Sequence, residues 1–154
     1  DSGIYWVDFC FHWFRIIAEC HVRQIIFKKR LQNHLRPGDK ATLFGMWVEY
    51  EKTIYLNPAT RNKGKHTPLG RTLVHELYHV LDPAAHESYV RDVAERELWE
   101  LATEKQRAFL RRYIRKHWIR QLKKHKSKRA PGLAFSFCAV LSYTYEPQSW
   151  RKSS

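Results

Sequence analysis

Residues 67–83, TPLGRTLVHELYHVLDP, constrain the fold more than any other stretch of the chain. Thr67-Pro68 reads as an N-cap followed by proline at the first helical position. Asp82-Pro83 ends the pattern, because the residue before a proline avoids the α region. Between these marks, at about 100° per residue, Leu69, Leu73, Leu77 and Val80 fall on one stripe, widened by Val74 and Leu81. The spacing predicts an amphipathic helix with a buried apolar face. His75 and His79 fall on nearly the opposite side.

The same helix carries His75-Glu76-Leu77-Tyr78-His79, an H-E-x-x-H motif. Residues four apart stand one turn above each other, so both imidazoles face the same way. Two imidazoles on one face can hold Zn2+, and the adjacent glutamate can act as general base toward a metal-activated water. The pattern points to a zinc-dependent hydrolase acting on a peptide or protein. The plainer alternative is a pair of solvent-facing histidines on an amphipathic helix.

Catalytic zinc sites usually take three protein ligands and keep one position open. Downstream candidates are Asp82, His86, Glu87, Asp92, Glu95 and Glu97. A second helix is expected to start directly at Asp82-Pro83, with Val90, Ala94, Leu98 and Leu101 as its inward stripe. Glu87 falls within that stripe, where a carboxylate is costly unless paired or metal-bound. It is the favoured third ligand, with His86, Glu95 and Glu97 left open. Tyr78 or His66 is a candidate to stabilise an oxyanion.

Upstream, residues 42–50 and 53–57 read as two strands joined by a tight turn at Glu51-Lys52. Strand 53–57 is expected beside the cleft, paired with an extended substrate. Residues 31–35 are a short helical candidate, and Arg36-Pro37-Gly38-Asp39 is a turn. Beyond the second helix, helical character continues through Phe109, Leu110, Tyr113, Ile114, Trp118 and Leu122. Residues 123–129 look like a solvated basic tail, and 133–145 a hairpin or strand. Residues 1–27 form an aromatic, apolar segment of uncertain structure, expected to be auxiliary to a working domain over 28–122. Residues 123–154 form a basic tail and an apolar C-terminal segment.

A length of 154 residues favours one domain. No apolar run reaches the roughly 20 residues of a membrane span, because Asp8 and Arg15 interrupt the longest candidate. Three cysteines without a C-x-x-C pair or a secretory signal suggest reduced thiols and a cytoplasmic setting. The net charge of +13 is uneven. Residues 67–105 carry four Lys/Arg against eight Asp/Glu, and residues 106–154 carry thirteen against one. That density favours polyanions such as DNA, RNA or anionic membrane. Arg111, Arg112, Arg115, Lys116, Arg120, Lys123 and Lys124 are the candidate nucleic-acid contacts, within a basic region over 107–129. A second function class follows: a basic nucleic-acid-binding protein, regulatory or structural, with a non-catalytic zinc site.

The runs TIYLNP, TLVHELYHVLDP and HESYVRDVAERELWELA together resemble small phage and bacterial zinc metallopeptidase-like proteins of the SprT-like or ImmA/IrrE-like zincin type. The resemblance covers roughly residues 40–105. It implies an α+β, zincin-like fold: short antiparallel strands packed on the H-E-x-x-H helix, with a second and third helix following. It also implies His75, His79 and Glu87 as zinc ligands and Glu76 as general base. The chain departs from related patterns in lacking a downstream N-E-x-x-S-D helix and a Cys-rich zinc ribbon.

Overall fold

The computed structural model of the protein describes residues 2–33, 36–59, 61–62, 65–66 and 68–127. Helix α1, Ser2–Cys20, buries Val7, Cys10, Phe11, Phe14, Ile17 and Ala18. These are spaced three and four apart, so they form one face. Strands β1 (Gln24–Phe27), β2 (Gly45–Val48) and β3 (Thr53–Leu56) follow, then a two-residue ladder of β4 (Arg61–Asn62) and β5 (Lys65–His66). Helix α2 is Leu69–Leu81. Helix α3 spans 87–100 in three pieces: an α turn Glu87–Tyr89, a π-helical turn Val90–Ala94 and an α segment Glu95–Glu100. Helix α4 is Glu104–Ser127.

The fold is α+β. Its main sheet has the order β1-β3-β2 and is mixed. β1 runs parallel to β3, with Gln24 opposite Thr53, and β2 runs antiparallel, with Gly45 opposite Leu56. The expected antiparallel pair is present, shorter than predicted, and a 3-10 turn at Glu49–Glu51 joins its strands. The third strand, Gln-Ile-Ile-Phe, comes from the segment that the sequence left unassigned. β3 is therefore the central strand, paired on both sides, and β2 is an edge. That corrects the expectation that strand 53–57 offers itself to a substrate.

Helix α2 lies at the middle of the core. Its Leu69, Leu73, Val74 and Leu77 are fully buried among α1, α3, α4 and the sheet. Gly70 permits a close contact with α3, since a Cβ there would stand 2.8 Å from the Trp99 ring. The helix ends before Asp82-Pro83 as predicted, but Pro68 occupies the N-cap position, and Thr67 lies outside the described residues. Residues 82–86 form a turn instead of beginning the next helix. His86 caps α3, its Nδ1 accepting from the Ser88 N–H at 3.2 Å. Leu101, placed on the inward stripe by the sequence, is 49% exposed because α3 has ended, and Trp99 packs inward instead.

Thr103 and Gln106 form a reciprocal capping box at the start of α4, with bonds of 3.1 and 2.8 Å. α4 buries Leu110, Tyr113, Ile114 and Trp118 as expected. It continues to Ser127, so residues 123–127 are helical and do not begin a tail. Its partners include α1, through Gln106 to Asp8, and β1, where the Phe27 N–H donates to Gln121. Residues 31–33 are not helical, while the turn at 36–39 forms, Asp39 N donating to the Arg36 carbonyl. The segment 133–145 lies outside the described residues.

The packing of α1 corrects the expectation of an auxiliary N-terminus. Phe11 and Phe14 sit edge to face in the main core, and Tyr113 of α4 donates to the Ala18 carbonyl. Removing residues 1–27 would also remove β1. Phe14→Ala should destabilise the protein by about 3–5 kcal/mol, the usual cost of emptying a buried aromatic site. Phe9→Ala, on the exposed side of α1, should change stability by under about 1 kcal/mol. Urea denaturation of both variants measures this, and equal effects would contradict the placement of α1 in the core.

Candidate metal centre

α3 folds back beside α2, and the sequence motif meets its third residue there. On α2, His75 and His79 bring their Nε2 atoms to 3.1 Å from each other. On the first turn of α3, Glu87 reaches both rings. Its Oε1 lies 3.0 Å from His75 Nε2, and its Oε2 lies 2.7 Å from His79 Nε2. One ligand atom from each of the three residues fits within a span of 4.8 Å. Two nitrogens bound tetrahedrally at about 2.0–2.1 Å from zinc stand about 3.3 Å apart, close to the separation found. Two imidazoles and one carboxylate with a free approach are the donor set of a catalytic zinc site, so these residues fit that metal.

The other candidates for third ligand are placed elsewhere. His86 is engaged as the α3 cap, with its Nδ1 2.7 Å from the Ser88 hydroxyl. Asp92 pairs with its neighbour Arg91. Glu95 sits close by but on the far nitrogen of His75, its Oε1 3.9 Å from Nδ1. Among the described residues, Asp82, Glu95 and Glu97 are not part of the group that can hold a metal.

Glu76, next to His75 on α2, lines the same cleft and is 5% exposed. Strand β2 passes close by, and its Trp47 backbone N–H acts to favour the charged carboxylate. Gly45 makes that approach possible. A Cβ at this position would stand 2.8 Å from Thr72 Cγ2, 3.1 Å from Glu76 Oε1 and 3.1 Å from the Tyr55 carbonyl oxygen. Burial, reinforced by the charges of Glu87 and Glu95, pushes Glu76 up to about 8. Burial likewise raises Glu95 to about 7, against the pull of Arg71. Burial lowers His75 below its ordinary value, an effect opposed by Glu87, and so favours the neutral ring that a metal requires.

All of this opens into a cleft of about 1660 Å³, whose lining includes Phe44, Gly45, Trp47, His75, Glu76 and Glu87. Tyr78 is not in the lining. It is buried between the rings of Trp6 and Tyr89, which removes it as an oxyanion donor to this cleft. The side chain of His66 lies outside the described residues.

The basic candidates lie away from the cleft, on α4. Arg112, Arg115, Lys116, Arg120, Lys123 and Lys124 are exposed, and none lines the cleft. Arg111 is half-buried and paired with Glu104. Arg107 is buried against the Trp99 ring, with Nη2 donating to the Trp99 carbonyl, so it belongs to the core. Cys10 is a buried free thiol raised to about 12 by burial, and Cys20 is free and exposed. No helix among the described residues is long and apolar enough to cross a membrane.

No family model, curated protein or solved structure matches the chain.

The raised Glu76 has a consequence for the metal-free protein. Below about 4.5 both folded and unfolded chains hold this proton, and between about 4.5 and 8 only the folded chain does. Glu76 therefore costs the fold stability progressively as pH rises through that window. In the presence of a chelator, Glu76→Gln should gain stability relative to the parent from pH 5 to pH 9, with the largest gap above about 8. Parallel urea midpoints across this range would contradict the buried carboxyl.

Proposed function

We propose that the protein is a small zinc-dependent metallopeptidase of the zincin type. The observation that carries the reading is the convergence of His75, His79 and Glu87 within 4.8 Å, in a cleft that the buried Glu76 also lines. A solvated histidine pair has no need of a carboxylate shared between both rings. It has still less need of a second, buried carboxyl in the same cleft.

His75, His79 and Glu87 would hold Zn2+ through two Nε2 atoms and one carboxylate. Bound there, zinc supplies a Lewis acid that polarises a carbonyl and makes water more acidic. The remaining work falls to the chain. Glu76 takes a proton from the attacking water and returns it to the leaving amine nitrogen. The Trp47 backbone N–H of strand β2 favours the charged form of Glu76. β2 is an edge strand that lines the cleft, so an extended peptide can add alongside it through backbone hydrogen bonds. The substrate is then recognised first as backbone, while Gly45 lets the strand pack close against Thr72 and Glu76.

A second reading rests on α4. From Lys105 to Ser127 the helix carries no acidic residue, and its exposed face is a row of Lys and Arg. Such a face favours a polyanion, and nucleic acid binding there is compatible with peptidase activity in the cleft. Binding of this kind should weaken steeply with salt. Replacing Arg112, Arg115, Lys116 and Arg120 by Ala should flatten the slope of log K against log salt by roughly three to four. A slope unchanged by the substitutions would rule this surface out.

For the leading reading, the decisive comparison is of zinc content and peptide hydrolysis. The parent should bind one zinc and hydrolyse an unstructured protein substrate. Glu76→Gln should retain zinc and lose roughly 10²–10⁴-fold in rate, the usual share of a general base. Glu87→Ala should lose zinc affinity as well. Stoichiometric zinc without hydrolysis of any peptide would overturn the peptidase. A parent that takes up no zinc would overturn the site.

A further inference from the structure

A metal-bound histidine needs its second ring nitrogen fixed, because that nitrogen decides which tautomer and ring orientation the metal meets. His75 presents Nε2 to the ligand cluster and Nδ1 to the opposite side. On that opposite side stands Glu95, with Oε1 3.9 Å from Nδ1. Its side chain is only 14% exposed, and Arg71, one turn before His75 on α2, anchors it with Nε 3.7 Å from the same oxygen.

Glu95 reaches this position through an irregularity of the backbone. Glu87 and Glu95 are eight residues apart on α3. A regular α-helix turns about 100° per residue, which would set them about 80° apart around the axis. Between them lies the π-helical turn Val90–Ala94, closed by a hydrogen bond from Glu95 N–H to the Val90 carbonyl. A π turn accommodates an extra residue, so it rotates less per residue and brings position 95 back toward the face of position 87. One helix thereby delivers two carboxylates to one imidazole, Glu87 to Nε2 and Glu95 toward Nδ1. Ion pairing with Arg71 alone would not require Glu95 to face His75 as well.

We propose that Glu95 is the positioning carboxylate of this site, held by Arg71 and by the π turn, and that it accepts a hydrogen bond from His75 Nδ1–H. Glu95 thus fixes His75 as the Nδ1–H tautomer and leaves the Nε2 lone pair for the metal. The inference rests on the zinc reading of His75, His79 and Glu87. At 3.9 Å the pair is longer than a hydrogen bond by under about 1 Å. The proposal is that this gap closes once zinc occupies the three ligands.

The test is zinc affinity, measured by competition with a chromophoric chelator, in Glu95→Gln and Glu95→Leu. Gln keeps an oxygen acceptor at the same reach, and Leu keeps bulk without one. Glu95→Leu should bind zinc about 10–100-fold more weakly, the range for loss of such a partner, while Glu95→Gln stays within about threefold of the parent on the same principle. Urea melts of the chelator-treated variants establish that each is folded, and Arg71→Met should give a smaller loss in the same direction. Equal affinity in all variants would overturn the proposal while leaving the metal centre standing. Equal weakening by Gln and Leu would overturn it too, because only the charge would then matter. A parent that binds no zinc would overturn the metal reading itself, and this inference with it.

Discussion

The burial of the Glu76 carboxyl between α2 and strand β2 is the constraint on which the rest of the cleft depends. A carboxyl placed on the buried side of a helix costs the fold unless something nearby answers it. Here the Trp47 backbone N–H of an edge strand offsets only part of that cost, and the strand can come that close only because residue 45 lacks a side chain. Once β2 is held against α2, the histidines one residue before and three after Glu76 are aimed into the space above the strand. α3 closes the other wall with Glu87. A fold optimised for stability alone would have placed an apolar residue at position 76.

Much of this was legible in the sequence, for identifiable reasons. α2 was legible because its apolar residues keep a strict helical period and Asp82-Pro83 stops it. Glu87 was singled out because its angle set a carboxylate on an inward-facing stripe; the structure brings it to both histidines, but with its side chain 57% exposed, so burial is not what holds it there. His86 remained open as a ligand because its actual use, capping α3 by accepting from Ser88 N–H, was hidden behind the stronger turn signal of Asp82-Pro83. Glu95 could not be phased correctly. Angles counted at 100° per residue fail across a π turn, and no local residue preference announces that turn.

The N-terminal helix shows a different kind of failure. Val7, Phe11, Phe14 and Ala18 carry the helical spacing of a buried face, but Tyr5, Phe9, Trp13 and Ile16 fill the exposed side with residues just as apolar. With both faces apolar, polar and apolar residues no longer alternate with any period, although about a quarter of the buried residues of the main core are written there. Strand β1 was invisible for a related reason. Its four residues lie within the same apolar segment, and their pairing partner in β3 is twenty-nine positions away, as for Gln24 and Thr53. Non-local pairing is what selects a strand at that point, and a local window cannot see it.

The protein therefore divides its chemistry between two surfaces: an acidic, buried-carboxyl cleft between α2, α3 and β2, and a cationic helix that takes no part in it. The central claim concerns the cleft, and the most direct measurement is X-ray absorption at the zinc edge of the zinc-loaded protein. The account predicts two imidazole nitrogens at about 2.0–2.1 Å together with carboxylate or water oxygen, and no sulfur. Scattering from sulfur at about 2.3 Å, or a shell of oxygens without imidazole, would contradict it.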